Sequence, residues 1–342
     1  MNNDLIIAEK AKIRDDKQIM SGIRLNRVLH KVLNKKILIK TIIAIMRSIV
    51  IIGISFIILE PILIKISMSL MSQIDLYDKT VKVIPKHFML SNFEEAYNLI
   101  NYTTSFLNTA GLALLTGILQ TFACIIVGYG FAHFHFRYKG FFFALVIISM
   151  VIPPQLILTP LYLNFKNFDL FGLIPLITGG KGFSMLENVS PFVALSITAT
   201  GPRNGLYIFL ARQFFRSMPR EIDEAASIDG AGPYKVFFMI MLGEAIPVMV
   251  TIFLFSFVWQ WNDSLYTFLF YTNLDTIPKY LQQLGYLLEN INIVVSASAT
   301  NVGYISIMRA TCTLLAITPL LVIYAIFQKH FIQSIERTGL VG

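Results

Sequence analysis

Six apolar runs separated by polar connections set the pattern of this chain. They cover residues 48–70, 104–132, 141–164, 191–211, 245–270 and 305–328, each edge being defined to within several residues. About 20 apolar residues in a helix cross the roughly 30 Å hydrocarbon core of a bilayer, where every backbone N–H and C=O must be satisfied within the span. The pattern therefore predicts an all-α membrane protein with six transmembrane helices.

Two of the six runs contain polar or helix-breaking residues. The fourth run is interrupted by polar side chains at Thr198, Thr200, Arg203 and Asn204. The first run carries Glu60, Pro61 and Lys65 in its second half. Because proline removes a helix hydrogen bond, we expect the first span either to kink at Pro61 or to end earlier.

Lysine and arginine are distributed unevenly among the polar connections. If both termini lie inside, 19 of the 28 Lys and Arg residues fall on the cytoplasmic side. Cytoplasmic connections of membrane proteins are enriched in these two residues. The distribution predicts that residues 1–47, the 212–244 segment and the C-terminus face the cytoplasm.

The first 40 residues are polar and basic, and they lack the apolar core and cleavage site of a signal peptide. We expect them to remain attached. Apolar residues recur in them at helical spacing, at Leu25, Val28, Leu29, Val32 and Leu33. This predicts a helix on the anionic inner leaflet, the alternative being a solvated tail. The chain divides on this basis into a basic segment, 1–47, and a six-span domain, 48–342.

The two long outer connections, 71–103 and 271–304, mix charged and apolar residues. Such a composition favours small ordered caps over flexible linkers, and caps on the outer side can meet an external partner. No repeat at solenoid spacing and no polar stretch long enough for a separate soluble domain is present in the sequence.

Composition agrees with the membrane assignment. Hydrophobic residues make up 55% of the chain and charged residues 14%, whereas about a quarter of a soluble domain is charged. The net charge of +8 accompanies no nucleic-acid-binding motif, and membrane orientation explains it better. Cys124 and Cys312 each lie inside an apolar run without neighbouring ligand residues, so we interpret both as packing residues.

The connection after the fourth run contains a short segment with the features of a helix. Pro219 suits a first helical turn, the acidic residues Glu221, Asp223 and Glu224 complement the helix dipole, and Gly230 suits the helix end. Ala225 and Ala226 give this helix a ridge of small side chains that fits a groove on another protein. The alternative is a plain cytoplasmic hairpin.

This segment resembles the coupling motif of ABC importer permeases, in which Glu-Ala-Ala is followed after three residues by Gly and after nine more by Ile-x-Leu-Pro. Six residues stand at the matching positions: Glu224, Ala225, Ala226, Gly230, Ile240 and Leu242. Gly243 replaces the proline, which leaves the entry angle of the fifth span open, and Pro247 stands where sugar permeases often have a second proline.

Further motifs extend the resemblance over residues 48–342, which are similar to the smaller permease of maltose-type carbohydrate transporters. The motifs occur in the family's order at 105–109, 128–132, 152–154, 160–162, 209–215, 261–263 and 339–342. Each motif is weak by itself, and their order makes the resemblance specific.

The resemblance implies a type I ABC importer permease fold in a bacterial cytoplasmic membrane. It also implies a complex with a second homologous permease, two ABC ATPase subunits and an extracellular solute-binding protein that delivers a sugar. ATP and Mg would bind to the ATPase subunits, and this chain would hold no cofactor and no metal. Glu224, Ala225, Ala226, Asp229 and Gly230 would form its ATPase-coupling site.

One glycine-rich string tests whether the chain itself binds ATP. Gly179, Gly180 and Gly182 flank Lys181, but Pro175 occupies the first glycine position of a phosphate loop and Gly182 its Ser/Thr position. The string therefore fails the pattern. The sequence also lacks a nucleophile-and-base set, so we expect a transport subunit and not an enzyme.

Four polar residues inside or beside the apolar runs are candidates for the translocation path: Arg203, Asn262, Asp263 and Arg309. An ionisable group in hydrocarbon is unfavourable unless it faces protein or water. The alternatives are hydrogen bonding near a helix end for Asn262 and Asp263, and snorkelling or interhelical pairing for the arginines. The two arginines leave an acidic oligosaccharide open as the substrate.

Aromatic residues near the same positions have two interpretations. Trp259, Trp261, Tyr266 and Tyr271 can stack on sugar rings or form an interfacial aromatic belt, and the belt is the simpler explanation.

Three functions remain in order of preference: an ABC sugar permease, an ABC permease for another solute, and an ion-coupled carrier or membrane enzyme. A secondary carrier has no need of an ATPase-docking helix, which favours the first two.

Overall fold

The computed structural model describes residues 35–81, 83–169, 176, 179, 182–219, 221, 228, 230–295 and 301–339. These residues are mostly helical, and the one β-feature among them is an isolated bridge between Phe168 and Phe183. The predicted amphipathic helix near residues 24–33 lies outside the described residues.

The helices follow one another with short connections. In chain order they are α1 (Lys35–Ser69), α2 (Gln73–Tyr77), α3 (Ser91–Leu99), α4 (Tyr102–His133), α5 (Lys139–Val151), α6 (Pro154–Lys166), α7 (Ser190–Ile197), α8 (Asn204–Arg216), α9 (Pro233–Val236), a π-helix (Phe237–Met241), α10 (Leu242–Glu244), α11 (Ile246–Trp261), α12 (Leu265–Phe270), α13 (Ile277–Val295) and α14 (Asn301–Gly339).

Three of these helices, α1, α4 and α14, are long and apolar enough to cross a membrane individually. Two bent pairs bring the number to five if each pair counts as one span. The helices that the structure describes therefore show a multi-span membrane protein with three to five candidate spans, against the six predicted from the apolar runs. The first predicted span continues through Pro61, which lies inside α1, to Ser69.

The bends occur where proline interrupts the helix ladder. The α5 and α6 axes differ by 105° across Pro153 and Pro154. A bend of 73° separates the segment that ends at Glu244 from α11, which has Pro247 in its first turn. Proline cannot donate to the preceding turn and disfavours helical geometry in the residue before it, so each helix ends and restarts there.

The fourth predicted run consists of two short helices, α7 and α8, separated at 198–203. Ala199 ends α7 in the left-handed region with φ of 53°. The backbone N–H groups of Thr200 and Gly201 then donate to the Leu195 carbonyl at 3.2 Å. These bonds satisfy a carbonyl at the end of α7. The polar residues that interrupt the fourth apolar run therefore mark a defined break between two helices.

Internal contacts divide the chain into two units, the residues up to Ile64 and those from Lys65 onward. In the first unit, the described residues belong to α1, whose apolar side chains are almost all exposed, with Ile52 at 68%. A helix that is apolar on all sides suits lipid or another apolar surface.

The core of the second unit lies where α4 packs against α8 and α11. Gly128 of α4 lies against α8 so closely that an added Cβ would fall 2.4 Å from the Ala211 Cβ. Nearby, the Tyr129 ring packs on Phe215 and Phe237, with centroids 5.2 Å and 4.7 Å away. Small residues allow this approach, as in many membrane helix pairs.

Polar side chains fix the ends of the spans to their neighbours. The Asn108 amide donates to the Asp275 carbonyl at 2.9 Å, and the Ile277 N–H donates to Thr109 Oγ1 at 3.0 Å. The indole N–H of Trp261 donates to the Ala316 carbonyl in α14 at 3.1 Å. Two of the family-like motifs, 105–109 and 261–263, thus supply residues that connect α4 to the start of α13 and α11 to α14.

The predicted connection 71–103 is ordered where the structure describes it. Asn92 is buried and donates to the carbonyls of Ser69 and Met71 at 2.9 Å and 3.0 Å, which ties α3 to the end of α1. Asp75, also buried, accepts from the His87 backbone N–H at 2.9 Å. These bonds support the expectation of a small ordered cap.

Candidate functional site

The predicted ATPase-coupling site lies mostly outside the described residues. Glu224, Ala225, Ala226 and Asp229 belong to that part of the chain, so the helix predicted for them stays a prediction. Gly230 is described and has φ of 77°, a left-handed conformation that suits glycine at a helix end or turn.

The described residues after Gly230 connect this segment to the core. Ile240 and Leu242, both at motif positions, are half-buried against the cluster formed by α4, α8 and α11. Tyr234, Phe238 and Met239 project from the same region with 84%, 60% and 70% of their surface exposed. The described end of this segment is therefore packed onto the helices of the core.

A small cavity of about 50 Å³ lies where two of the broken spans meet α4. Pro202 and Arg203 come from the α7–α8 break, and Asp263 comes from the α11–α12 break. The remaining lining residues are Gln120, Tyr207, Ser256, Trp259, Gln260 and Tyr266. Polar side chains from separate spans thus converge inside an otherwise apolar helix bundle.

A wider and mostly apolar cavity of about 340 Å³ shares Pro202 with the small one. It is lined by α5, by the α5–α6 bend at Ile152 and by the start of α8 at Gly205. An added Cβ at Gly205 would fall 2.6 Å from Ser149 Oγ, so this glycine lets α8 approach α5 closely. The bends of the third and fourth predicted spans therefore lie beside the polar cavity.

Arg203 is held by an aromatic ring. Its guanidinium carbon lies 3.3 Å from the centroid of the Trp259 ring, a close cation–π contact. Among the described residues no carboxylate oxygen lies within 4.0 Å of it, although Asp263 is near enough to act on it electrostatically. The structure thus favours neither snorkelling nor direct pairing for this arginine.

Asp263 caps the short helix α12. Its oxygens accept from the backbone N–H groups of Tyr266 and Thr267 at 3.2 Å and 2.9 Å, and from the Thr267 hydroxyl at 3.0 Å. The amide of the neighbouring Asn262 is exposed and donates to the Val258 carbonyl at 2.7 Å. Both residues make the helix-end hydrogen bonds that the sequence allowed, but only Asp263 lines the cavity.

The other candidate arginine lies elsewhere. Arg309 is exposed on α14, and its guanidinium lies 3.0 Å from where a Cβ on Gly285 would be. The structure therefore brings Arg203 and Asp263 together, and it does not place Asn262 or Arg309 at the cavity.

Sequence reasoning missed four polar lining residues and misjudged one aromatic. Gln120, Tyr207, Ser256 and Gln260 are polar residues within helical runs, and that interruption was a usable signal. Trp261 is 2% exposed and belongs to the core, whereas Trp259 is 45% exposed and lines the cavity. The two rings differ in burial, and the sequence pattern did not predict this difference.

Carboxylates outside the spans are tuned by local hydrogen bonds. The Thr272 hydroxyl and neighbouring donors at Asn273 hold the pKa of Glu187 below its usual value. Desolvation raises the pKa of Asp75, but hydrogen bonds and charge from His87 outweigh it, so the pKa is lowered overall. Both groups therefore stabilise local structure in their charged form.

A polar cavity between broken helices of a multi-span apolar bundle is typical of membrane transport proteins, whose sites lie where helices are discontinuous. The fold and the cavity thus indicate a membrane transport protein. Comparison with known families agrees, because residues 123–337 match the description "Binding-protein-dependent transport system inner membrane component". The chain belongs to this family, which makes it a transport component and confirms the predicted resemblance.

Curated relatives share this character. The melibiose/raffinose/stachyose import permease protein MelC of Bacillus subtilis is 28% identical over 261 residues, which cover 76% of this chain and 84% of that protein. The diacetylchitobiose uptake system permease protein NgcG of Streptomyces coelicolor is 25% identical over 254 residues, 74% of this chain and 75% of the relative.

A solved structure shows the same fold. The chain is similar, with a TM-score of 0.63 and 19% identity, to a chain from the crystal structure of a bacterial ABC transporter involved in the import of the acidic polysaccharide alginate. The match covers 85% of this chain and 97% of that chain. The likeness shows an ABC importer permease fold.

Proposed function

We propose that this chain is the permease subunit of an ATP-driven importer for a sugar or oligosaccharide delivered by an extracellular binding protein. The observation that carries the proposal is the family match over residues 123–337, joined to a polar, aromatic-lined cavity among broken spans. The sugar class is supported by relatives named for melibiose, raffinose, stachyose and diacetylchitobiose.

The proposed complex contains a second homologous permease, two ABC ATPase subunits and the binding protein. ATP and Mg bind to the ATPase subunits in this proposal, and the chain described here binds neither. Six spans with both termini inside fit the uneven distribution of Lys and Arg. The family description, which names a binding-protein-dependent transport system, supports the outer partner.

The proposed ATPase contact is the coupling segment, 218–243. The small ridge that the sequence predicts at Ala225 and Ala226 would fit a groove on the ATPase. Tyr234 and Phe238, later in the same segment, have exposed aromatic side chains that would add to the contact. The packed path from Ile240 and Leu242 into the core would carry ATPase closure to the spans, which rock between outward and inward states.

We expect Glu224→Lys and Gly230→Val to uncouple the importer. The first variant reverses a charge at a packed interface, where an unpaired charge is strongly unfavourable, and the second places a β-branched residue at φ of 77°. Solute-stimulated ATP hydrolysis by the purified complex should fall about tenfold or more, or the ATPase subunits should fail to co-purify.

Glu94→Lys is the matched control, since it reverses an exposed charge in the connection predicted to lie outside. It should leave co-purification of the ATPase subunits unchanged. Wild-type coupling and assembly in both test variants would mean that the segment is only a hairpin.

A separate experiment tests the sugar assignment. Mass spectrometry of solutes that co-purify with the cognate binding protein would identify the substrate, and a non-sugar solute would replace the sugar assignment.

A further inference from the structure

The small cavity contains hydrogen-bond donors that have no acceptor in the described part of the chain. Gln260 Nε2 and Tyr266 Oη are buried there and have no hydrogen-bond partner in the described part of the chain. The Arg203 guanidinium, with five N–H donors, contacts the Trp259 ring and makes no ion pair to a described residue.

Two of the acceptors beside these donors are already engaged. Gln120 Oε1 accepts from the Ser256 hydroxyl, and Asp263 accepts from the donors of α12. The cavity therefore contains one cation, Arg203, and two neutral groups that can donate a hydrogen bond, the Gln260 amide and the Tyr266 hydroxyl. A buried donor without an acceptor is unfavourable, so this arrangement favours a ligand that brings acceptors and negative charge.

The size of the cavity selects the kind of acceptor. A cavity of about 50 Å³ accommodates a group of a few atoms. A carboxylate fits this space. It can also accept two parallel N–H bonds from one guanidinium, which a hydroxyl cannot do.

Trp259 supplies the neighbouring surface. Its ring is 45% exposed, and contact with Arg203 holds the guanidinium in place at the cavity. The part of the ring that Arg203 does not cover can pack on the apolar face of a sugar whose carboxylate enters the cavity. The sugar ring would thus pack on Trp259, and its carboxylate would bind beside it at Arg203.

We propose that Arg203, Gln260, Tyr266 and Trp259 form a subsite for the carboxylate of an acidic sugar, a uronate unit of the transported saccharide. Asp263 is near enough to act on Arg203 electrostatically but forms no ion pair with it, so a carboxylate reaches the guanidinium without breaking an ion pair. The α12 N–H donors in turn offset the charge of Asp263. This inference rests on the proposed function and adds the chemical class of its substrate.

The test is direct binding to the complete transporter in lipid nanodiscs without the binding protein. The probes are a panel of disaccharides of glucuronate, galacturonate and mannuronate, each paired with its neutral counterpart. We expect at least one uronate probe to bind about tenfold or more tightly than its neutral partner, since hydrogen bonds to charged groups are the stronger ones. Arg203→Gln should abolish the preference, and Arg203→Lys should keep part of it.

Arg309→Gln is the matched control, since it removes another arginine near the spans that lies away from the cavity. It should keep the preference, as should Trp259→Phe, though with weaker binding of both members of each pair. Equal binding of acidic and neutral probes, binding of neither, or a preference that survives Arg203→Gln overturns the subsite.

A separate readout distinguishes failure of the subsite from failure of the proposed function. Co-purification of ATPase subunits and their solute-stimulated hydrolysis in the wild type report on the importer assignment. A coupled transporter without acidic preference leaves the permease assignment intact and excludes the uronate subsite. A preparation that contains no ATPase subunit contradicts the importer itself.

Discussion

Single glycines decide how closely the spans approach one another. Gly128 and Gly130 stand two residues apart in α4, and the sequence gives no reason to rank them. Only Gly128 lies against another helix: an added Cβ would meet the Ala211 Cβ at 2.4 Å and the Arg212 backbone nitrogen at 2.9 Å. Around Gly130, apart from its chain neighbours and the backbone of its own helix, no atom of the described chain comes within 4 Å of that position.

We therefore expect Gly128→Ala and Gly130→Ala to have opposite effects. Overpacking should make Gly128→Ala destabilising by about 1–3 kcal/mol. Gly130→Ala should be neutral or stabilising by up to about 1 kcal/mol, because alanine is the better helix former. The thermal unfolding midpoint in detergent measures both, and a shift of both variants in the same direction would contradict the packing described here.

Interruptions of helices supply both charged residues of the candidate site. The α7–α8 break supplies Arg203, and the α11–α12 break supplies Asp263. Connections between elements hold these short pieces in place. Glu187, which has φ of 56°, binds the segment after α12 through the backbone N–H groups of Thr272 and Asn273 at 3.3 Å and 3.2 Å.

This connection gives a pH prediction. The pKa of Glu187 is lowered in the folded protein, so its stabilising effect is complete above its ordinary value of 4.5 and is lost as the pH falls through the lower folded pKa. Hydrogen exchange, corrected for intrinsic rates, should show protection of the Thr272 and Asn273 amides decreasing as the pH falls below 4.5.

In the Glu187→Gln variant, the Thr272 and Asn273 amides should already have reduced protection from exchange at neutral pH. Their protection should also lose its dependence on pH. Glu94→Gln removes an exposed carboxylate that lies in another connection and should behave as the wild type does. Protection that is independent of pH in the wild type would rule out the ionised Glu187 as the source of this contact.

At the scale of the whole molecule, orientation in the membrane decides which surface meets each partner. The distribution of Lys and Arg predicts that the 212–244 segment is cytoplasmic and that the 71–103 connection is outside.

Cysteine labelling of intact cells tests this prediction. An impermeant thiol reagent should label Ser91→Cys, at an exposed position in the outer connection, and should leave Ser227→Cys unlabelled until the cells are opened. Cys124 and Cys312 are fully buried and should contribute little background. Labelling of Ser227→Cys from outside would reject the six-span arrangement.

The sequence by itself determined the class of this protein. Apolar runs of spanning length must be helical in lipid, since no water is there to satisfy backbone groups, and the spaced motif from Glu224 to Leu242 identified the permease family that the comparison confirmed. Arg203 and Asp263 were also visible, because charges inside apolar runs are conspicuous.

Only the tertiary structure decided how these residues combine. Hydropathy averages over a window, so it joined α7 and α8 into one span and did not show the 105° and 73° bends. Likewise, Trp259 and Trp261 are equivalent in sequence, but one ring contacts Arg203 and the other lies in the core. Contacts between residues far apart in the chain determine how buried each side chain is and which residues it contacts. A local sequence pattern does not encode those contacts.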